Sequence, residues 1–307
     1  MALISPALPG GTHVADRNLR GIFLMTVAMG VFVLNDTFTK TVSDTLPTGQ
    51  IIALRGAIAT LIMLPIVMST CGIAAVARSY SRPILIRNVS EIVAVILFLS
   101  ALFRLPLANV TAILQTLPLA MTAAAAIFLG ERVGWRRWTA ACIGLAGILL
   151  IIRPGTDAFS WRYVSALISV IFITARDLAT RMISAETPTV AVTFLTAAVV
   201  TGAGCLLGTT EVWVWPDIDA LLRLGAAAVL VLLGYALLIE TWRGVEVSAV
   251  APFRYAVVLW AMLFGYLFLG EVPSGWTILG SAIVVGAGLY TFHRERQRKT
   301  AAQSPAT

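Results

Sequence analysis

The chain has 307 residues, 59% of them hydrophobic and only 12% charged, against roughly 25% charged in a soluble domain. A core of ordinary size cannot bury that much apolar surface, so lipid must be the solvent for much of it. The net charge of +7 sits in short connectors and near the C-terminal end, which reads as a membrane-orientation signal and argues against nucleic acid as a partner.

Along the chain, Pro6, Pro9, Gly10 and Gly11 precede any apolar run, so the opening residues do not read as a cleavable signal peptide. Ten segments of spanning length then follow, at about 20–41, 49–70, 84–104, 107–130, 134–152, 161–182, 188–208, 220–241, 246–270 and 275–292. The connectors Arg104-Leu105-Pro106 and Arg243-Gly244-Val245 are too short for a soluble domain. Cys71, Cys142 and Cys205 form no CxxC pair and predict neither a zinc site nor a disulfide framework. No histidine falls within a span, and neither HExxH nor GxSxG occurs, which leaves a membrane-embedded enzyme as a weak rival reading.

Charge inside a span costs about 2.5–3.5 kcal/mol per residue on insertion scales, so the intramembrane polar residues are the candidate site. The first span ends in Asn35, Asp36 and Lys40, and the sixth in Arg176, Asp177 and Arg181. The four-residue spacing of Asp36 with Lys40, and of Asp177 with Arg181, allows interface ion pairs on one helix face. The sharper reading makes Asn35, Asp36, Arg176 and Asp177 a substrate or proton site. Arg87 and Glu91 repeat the spacing on the third span, where Glu91 reads either as a structural partner or as a cavity-facing acid suited to proton coupling. Arg55 on the second span reads as structural, bonded to carbonyls or to an acid such as Asp36. Arg254, flanked by Phe253 and Tyr255, reads as a substrate contact, since a guanidinium at that depth needs an anion, carbonyls or a π face. Gln115 occupies the position equivalent to Tyr255, and both are expected to face a cavity. Pro118, and Pro252 nearer the start of its span, are expected to break their helices, as transport pathways often require.

The chain repeats itself. Phe128-Leu129-Gly130-Glu131 returns as Phe268-Leu269-Gly270-Glu271, 140 residues later. Asn35-Asp36 aligns with Arg176-Asp177, and Pro47-Thr48 with Pro188-Thr189, both at an offset of 141. Basic residues such as Arg132, Arg136 and Arg137 follow the first copy of the closing string and are missing after the second. Five spans per half is an odd number, so the halves must lie inverted in the membrane. Basic residues then collect on the side of both termini, which is expected to be cytoplasmic.

Two five-span halves, each closing its fourth span with Leu-Gly-Glu, resemble the EamA family of the drug/metabolite transporter superfamily. The resemblance implies an all-α integral membrane protein of ten transmembrane helices in two inverted five-helix repeats, 20–153 and 160–292. These are flanked by cytoplasmic tails, 1–19 and 293–307. It also implies a central cavity lined by helices one to four and six to nine, with helices five and ten peripheral. Asn35-Asp36 with Lys40, together with Gln50-Ile51-Ile52-Ala53-Leu54-Arg55-Gly56, looks like the subgroup of riboflavin and S-adenosylmethionine importers. The expectation is a secondary transporter in the inner membrane, with riboflavin uptake as its narrowest form. S-adenosylmethionine import and export of amino acids or similar metabolites are the alternatives. The expected partners are a small metabolite and the bilayer, the expected state is a monomer, and no cofactor or metal is expected.

Overall fold

The computed structural model describes residues 11–128, 135–157, 159–184, 186–241 and 250–303. Among them helix is the dominant regular structure, and no strand occurs. In lipid every backbone N–H and C=O must be satisfied within the protein, and helices do so locally. The elements are α1 (Gly11–Thr41), α2 (Thr48–Thr70), α3 (Ile73–Arg78), α4 (Arg82–Leu102), α5 (Leu107–Leu114), α6 (Leu117–Phe128) and α7 (Trp135–Ile152). The second half contributes α8 (Arg162–Arg181), α9 (Thr189–Gly208), α10 (Ile218–Thr241), a 3-10 segment (Ala251–Tyr255), α11 (Ala256–Leu269) and α12 (Gly275–Gln303).

Among the described residues, eight helical stretches are long and apolar enough to cross a membrane; Leu107–Phe128 and Pro252–Leu269 each count as one. Two further apolar helices, Trp138–Ile152 and Gly275–Tyr290, fall short of the roughly 20 residues a full span takes. The protein is a multi-pass membrane protein, and eight full-length stretches stand against the ten spans expected from the sequence. The apolar runs also differ from the helices at their ends. The first helix starts at Gly11, ahead of the apolar run, and the last continues to Gln303, because intrahelical hydrogen bonds do not require lipid. The Leu129-Gly130-Glu131 string and the Arg243-Gly244-Val245 connector lie outside the described residues.

Helix pairing explains where the site can form. α2 packs on α9, α4 on α8, α1 on α10 and α7 on α12. Weaker contacts join α1 to α11, α8 to α5 and α6, α2 to α10 and α4 to α9. Exchanging each helix for its counterpart about 140 residues away leaves this pairing scheme unchanged. At its centre, Thr60 on α2 and Thr201 on α9 bring their hydroxyl oxygens to 3.4 Å. Lacking a side chain, Gly204 lets α9 lie against the α2 backbone; a Cβ there would stand 2.5 Å from the Ala53 nitrogen. The shorter helices approach in the same way, since a Cβ on Gly280 would stand 2.6 Å from the Gly147 carbonyl oxygen.

Val33, Ile52, Leu99, Leu102, Leu107 and Ala261 form one buried cluster that draws on both halves. Outward-facing side chains are apolar, among them Leu61, Met68, Ile171, Leu206 and Leu259. Trp135, Trp161 and Trp276 lie exposed at or beside helix starts, as an interfacial aromatic belt requires.

Candidate functional site

Six helices bring their polar residues together. From α1, Asn35 donates through Nδ2 to Asp36 Oδ1 at 2.9 Å. Asn35 is only 3% exposed, yet its Oδ1 has no hydrogen-bond partner. From α2, Arg55 Nη1 donates to Thr39 Oγ1 at 3.3 Å and lies within electrostatic reach of Asp36, Tyr235 and Glu91. From α4, Arg87 Nε donates to Thr180 Oγ1 at 3.1 Å and its Nη1 to Thr196 Oγ1. Asn88 Oδ1 accepts from the same threonine at 2.9 Å.

The α8 residues complete the ring. Arg176 Nη1 bonds Glu91 Oε2 at 2.8 Å, and its Nη2 lies 2.7 Å from Asp177 Oδ1. Tyr235 on α10 stands edge-on to Phe32, ring centroids 5.2 Å apart, and within electrostatic reach of Arg176, Glu91, Arg87 and Arg55. Three arginines thus share the interior with three carboxylates: Arg55, Arg87 and Arg176 with Asp36, Glu91 and Asp177. The distribution is uneven. Arg176 takes two acids, while among the described residues no carboxylate lies within ion-pair distance of Arg55 or Arg87.

This arrangement revises the pairings that spacing suggested. Among the described residues Lys40 does not pair with Asp36, nor Arg181 with Asp177, nor Arg87 with Glu91; Lys40 and Arg87 find partners across the bundle instead. Arg55 reaches Asp36 only through space and bonds the threonine instead. Thr39 and Thr180 are repeat counterparts, 141 residues apart, and each accepts a hydrogen bond from an arginine. The first half draws that arginine from α2. In the second half Thr196 stands where Arg55 stands in the first, and Arg87 reaches it from α4.

Lys40 belongs to a second construction, at the end of α1. Its Nζ pairs with Glu271 Oε1 at 2.5 Å and also donates to the Leu105 carbonyl. Glu271 Oε2 accepts the Leu107 N–H at 2.6 Å, at the start of α5, where the side chain of the preceding Pro106 has no acceptor to offer. Gly270, with φ of 65°, ends α11 in the left-handed conformation that aims Glu271 at this spot. The Leu-Gly-Glu string of the second half is therefore a helix stop followed by a cross-bundle clasp. Sequence reasoning recognised the repeat and missed this role. Nearby, Gln50 exchanges two hydrogen bonds with the Val214 backbone, at 2.7 and 3.1 Å, and Glu211 Oε2 accepts the Gly49 N–H at 2.8 Å.

The remaining expected site residues lie elsewhere. Gln115 is buried and donates back to the Thr111 carbonyl at 3.3 Å. It sits where α5 gives way to α6, three residues before Pro118, whose missing N–H leaves the Leu114 carbonyl without its usual donor. Pro252 opens the 3-10 segment, so the fourth and ninth spans both change helix geometry at equivalent positions. Tyr255 turns toward α12, where its hydroxyl would stand 1.7 Å from a Cβ on Gly288, and Arg254 is exposed. Trp260 donates to the Thr26 carbonyl at 2.9 Å. Among the described residues, no hydrogen bond or ion pair ties Gln115, Arg254 or Tyr255 to the six-helix cluster, and no group of His, Cys, Asp and Glu is arranged to hold a metal ion.

Comparison with known proteins agrees with this architecture. The model of the EamA-like transporter family matches residues 19–153 and 160–292. The pseudopaline exporter CntI of Pseudomonas aeruginosa is 29% identical over 89% of this chain and 96% of its own. A riboflavin transporter of Rhizobium johnstonii is 27% identical, covering 92% of this chain and 94% of its own. An S-adenosylmethionine uptake transporter of Rickettsia prowazekii is 22% identical, covering 91% and 94%. One crystal structure of a protein 19% identical in sequence superposes with a TM-score of 0.61 over 92% of this chain and 99% of its own.

Proposed function

Because the chain belongs to the EamA-like transporter family, we propose that it is a secondary transporter that carries a small organic metabolite across the inner membrane by alternating access. The carrying observation is the seam. Glu91 and Arg176 belong to different halves and bond at 2.8 Å, so the polar cluster lies where the halves meet. Inverted halves, with both termini cytoplasmic, would let one rock against the other around that seam. The site residues are Asn35, Asp36, Arg55, Arg87, Glu91, Arg176, Asp177 and Tyr235. The helix interruptions at Pro118 and Pro252 supply bending points.

Riboflavin is the narrowest reading of the sequence, and the Rhizobium johnstonii relative supports it. A second reading is a solute that carries charge, of which S-adenosylmethionine is the example named among the relatives. The three arginines and three carboxylates of the cluster favour this second reading. The test is growth of a riboflavin auxotroph at limiting external riboflavin, paired with uptake of labelled S-adenosylmethionine, each with and without the gene and with membrane abundance measured. Uptake of either supports the transporter reading and selects between the solutes. A well-expressed protein that moves neither, and exports no metabolite from loaded cells, would defeat it.

A further inference from the structure

We infer that the six-helix cluster is built for a zwitterion, with Arg55 and Arg87 receiving a carboxylate and Asn35 with Asp36 receiving an ammonium or other N–H group. The inference rests on the transporter reading and assigns the chemistry of its site.

The anionic end follows from unused donors. A guanidinium offers five N–H groups in a planar fork that matches a carboxylate. Arg55 uses one of these on Thr39, and Arg87 uses two on Thr180 and Thr196. Both sit among membrane-spanning helices, where leaving a cation with only neutral partners is costly. Arg176 shows the alternative, since Glu91 and Asp177 both engage it. Arg87 reaches Thr196 on α9, the helix that packs against the α2 of Arg55, so both arginines belong to the same six-helix cluster.

The cationic end rests on the orphaned Asn35 Oδ1. A buried amide oxygen without a donor costs about 1–3 kcal/mol. The orientation of this amide is fixed, because its Nδ2 donates to the Asp36 carboxylate. The oxygen therefore faces an unfilled role as acceptor, beside a carboxylate whose one hydrogen bond among the described residues comes from the same asparagine. A ligand N–H would satisfy both. Thr39 links the two ends, because its hydroxyl accepts from Arg55 at 3.3 Å and donates to the Asn35 carbonyl at 2.8 Å.

The test uses purified full-length protein in liposomes and three labelled solutes: S-adenosylmethionine, its decarboxylated derivative, and riboflavin. The first carries the amino-acid zwitterion, the second lacks only the carboxylate, and the third carries neither charge. S-adenosylmethionine should enter at least about tenfold faster than the decarboxylated form, the scale of one charge-assisted hydrogen-bond pair. Arg55→Gln and Arg87→Gln should remove that preference, while Arg55→Lys should keep part of it. The wild-type comparison needs no variant to fold. Equal entry of the two adenosyl compounds, or riboflavin entry faster than that of S-adenosylmethionine, overturns the charge assignment and leaves the transporter standing. Entry of no solute overturns the charge assignment, and the transporter reading falls with it only if loaded cells also export no metabolite.

Discussion

Thr60 and Thr201 are repeat counterparts 141 residues apart, and their hydroxyl oxygens meet at 3.4 Å. A position can touch its own counterpart only near the axis that relates the halves. α2 and α9 therefore form the pivot of the bundle, and the charged cluster is arranged around them.

The closeness of that pivot depends on Gly204. Gly204→Ala would set a methyl 2.5 Å from a backbone nitrogen of α2, which cannot move aside as a side-chain tip can. We expect a loss of about 1–3 kcal/mol, read as a lower melting temperature in detergent. Gly202→Ala on the same helix meets nothing within 4 Å and should be neutral or slightly stabilising. Equal effects of the two would refute the close-packing account.

The Lys40–Glu271 clasp should behave as a coupled unit. Glu271→Gln weakens the ion pair, and Lys40→Met leaves the carboxylate with only the Leu107 N–H; each should cost about 1.5–3 kcal/mol. The double variant should cost less than the sum of the singles, because each single change already removes the shared interaction. Strict additivity in a thermal-denaturation cycle would mean that the pair contributes nothing.

Arg176 should matter more for folding than Arg55. Arg176→Ala strands two carboxylates, Glu91 and Asp177, within the bundle, and membrane yield should fall. Arg55→Ala breaks no ion pair, and the Thr39 hydroxyl keeps its bond to the Asn35 carbonyl, so yield should hold while transport falls. Comparable yields with comparable activity would contradict the division between structural and ligand-facing arginines.

Pro118→Ala restores a donor for the Leu114 carbonyl and should straighten the junction of α5 and α6. Hydrogen exchange across 112–120 should slow. If the interruption serves movement between states, the transport rate should fall while melting temperature rises. A faster transporter would show that the break is dispensable.

Much of the architecture was readable because lipid imposes strong rules. Span length and the repeat offset each follow from a single constraint, and the contact of Thr60 with Thr201 falls on the same 141-residue offset. Pairings inside the bundle were less legible. Spacing set Lys40 beside Asp36 and Arg87 beside Glu91, since residues four apart share a helix face. Partners on other helices won, and a linear pattern carries no record of which helices touch. Tyr235 escaped notice for the same reason: a tyrosine in an apolar run announces nothing until its ring is seen edge-on to Phe32 of another helix. Tyr255 misled in the opposite sense, because equivalence to Gln115 in the repeat did not prevent its side chain from turning toward Gly288.

Most long-range side-chain hydrogen bonds join the two halves, including Glu91 with Arg176, Arg87 with Thr180, and Lys40 with Glu271. Neither half owns the whole polar cluster, which is a property of their association rather than of the polypeptide that connects them. Cutting the backbone between residues 153 and 160 should leave two fragments that recognise one another in the membrane and recover activity only when made together. The molecule is in effect a heterodimer whose subunits happen to share one chain.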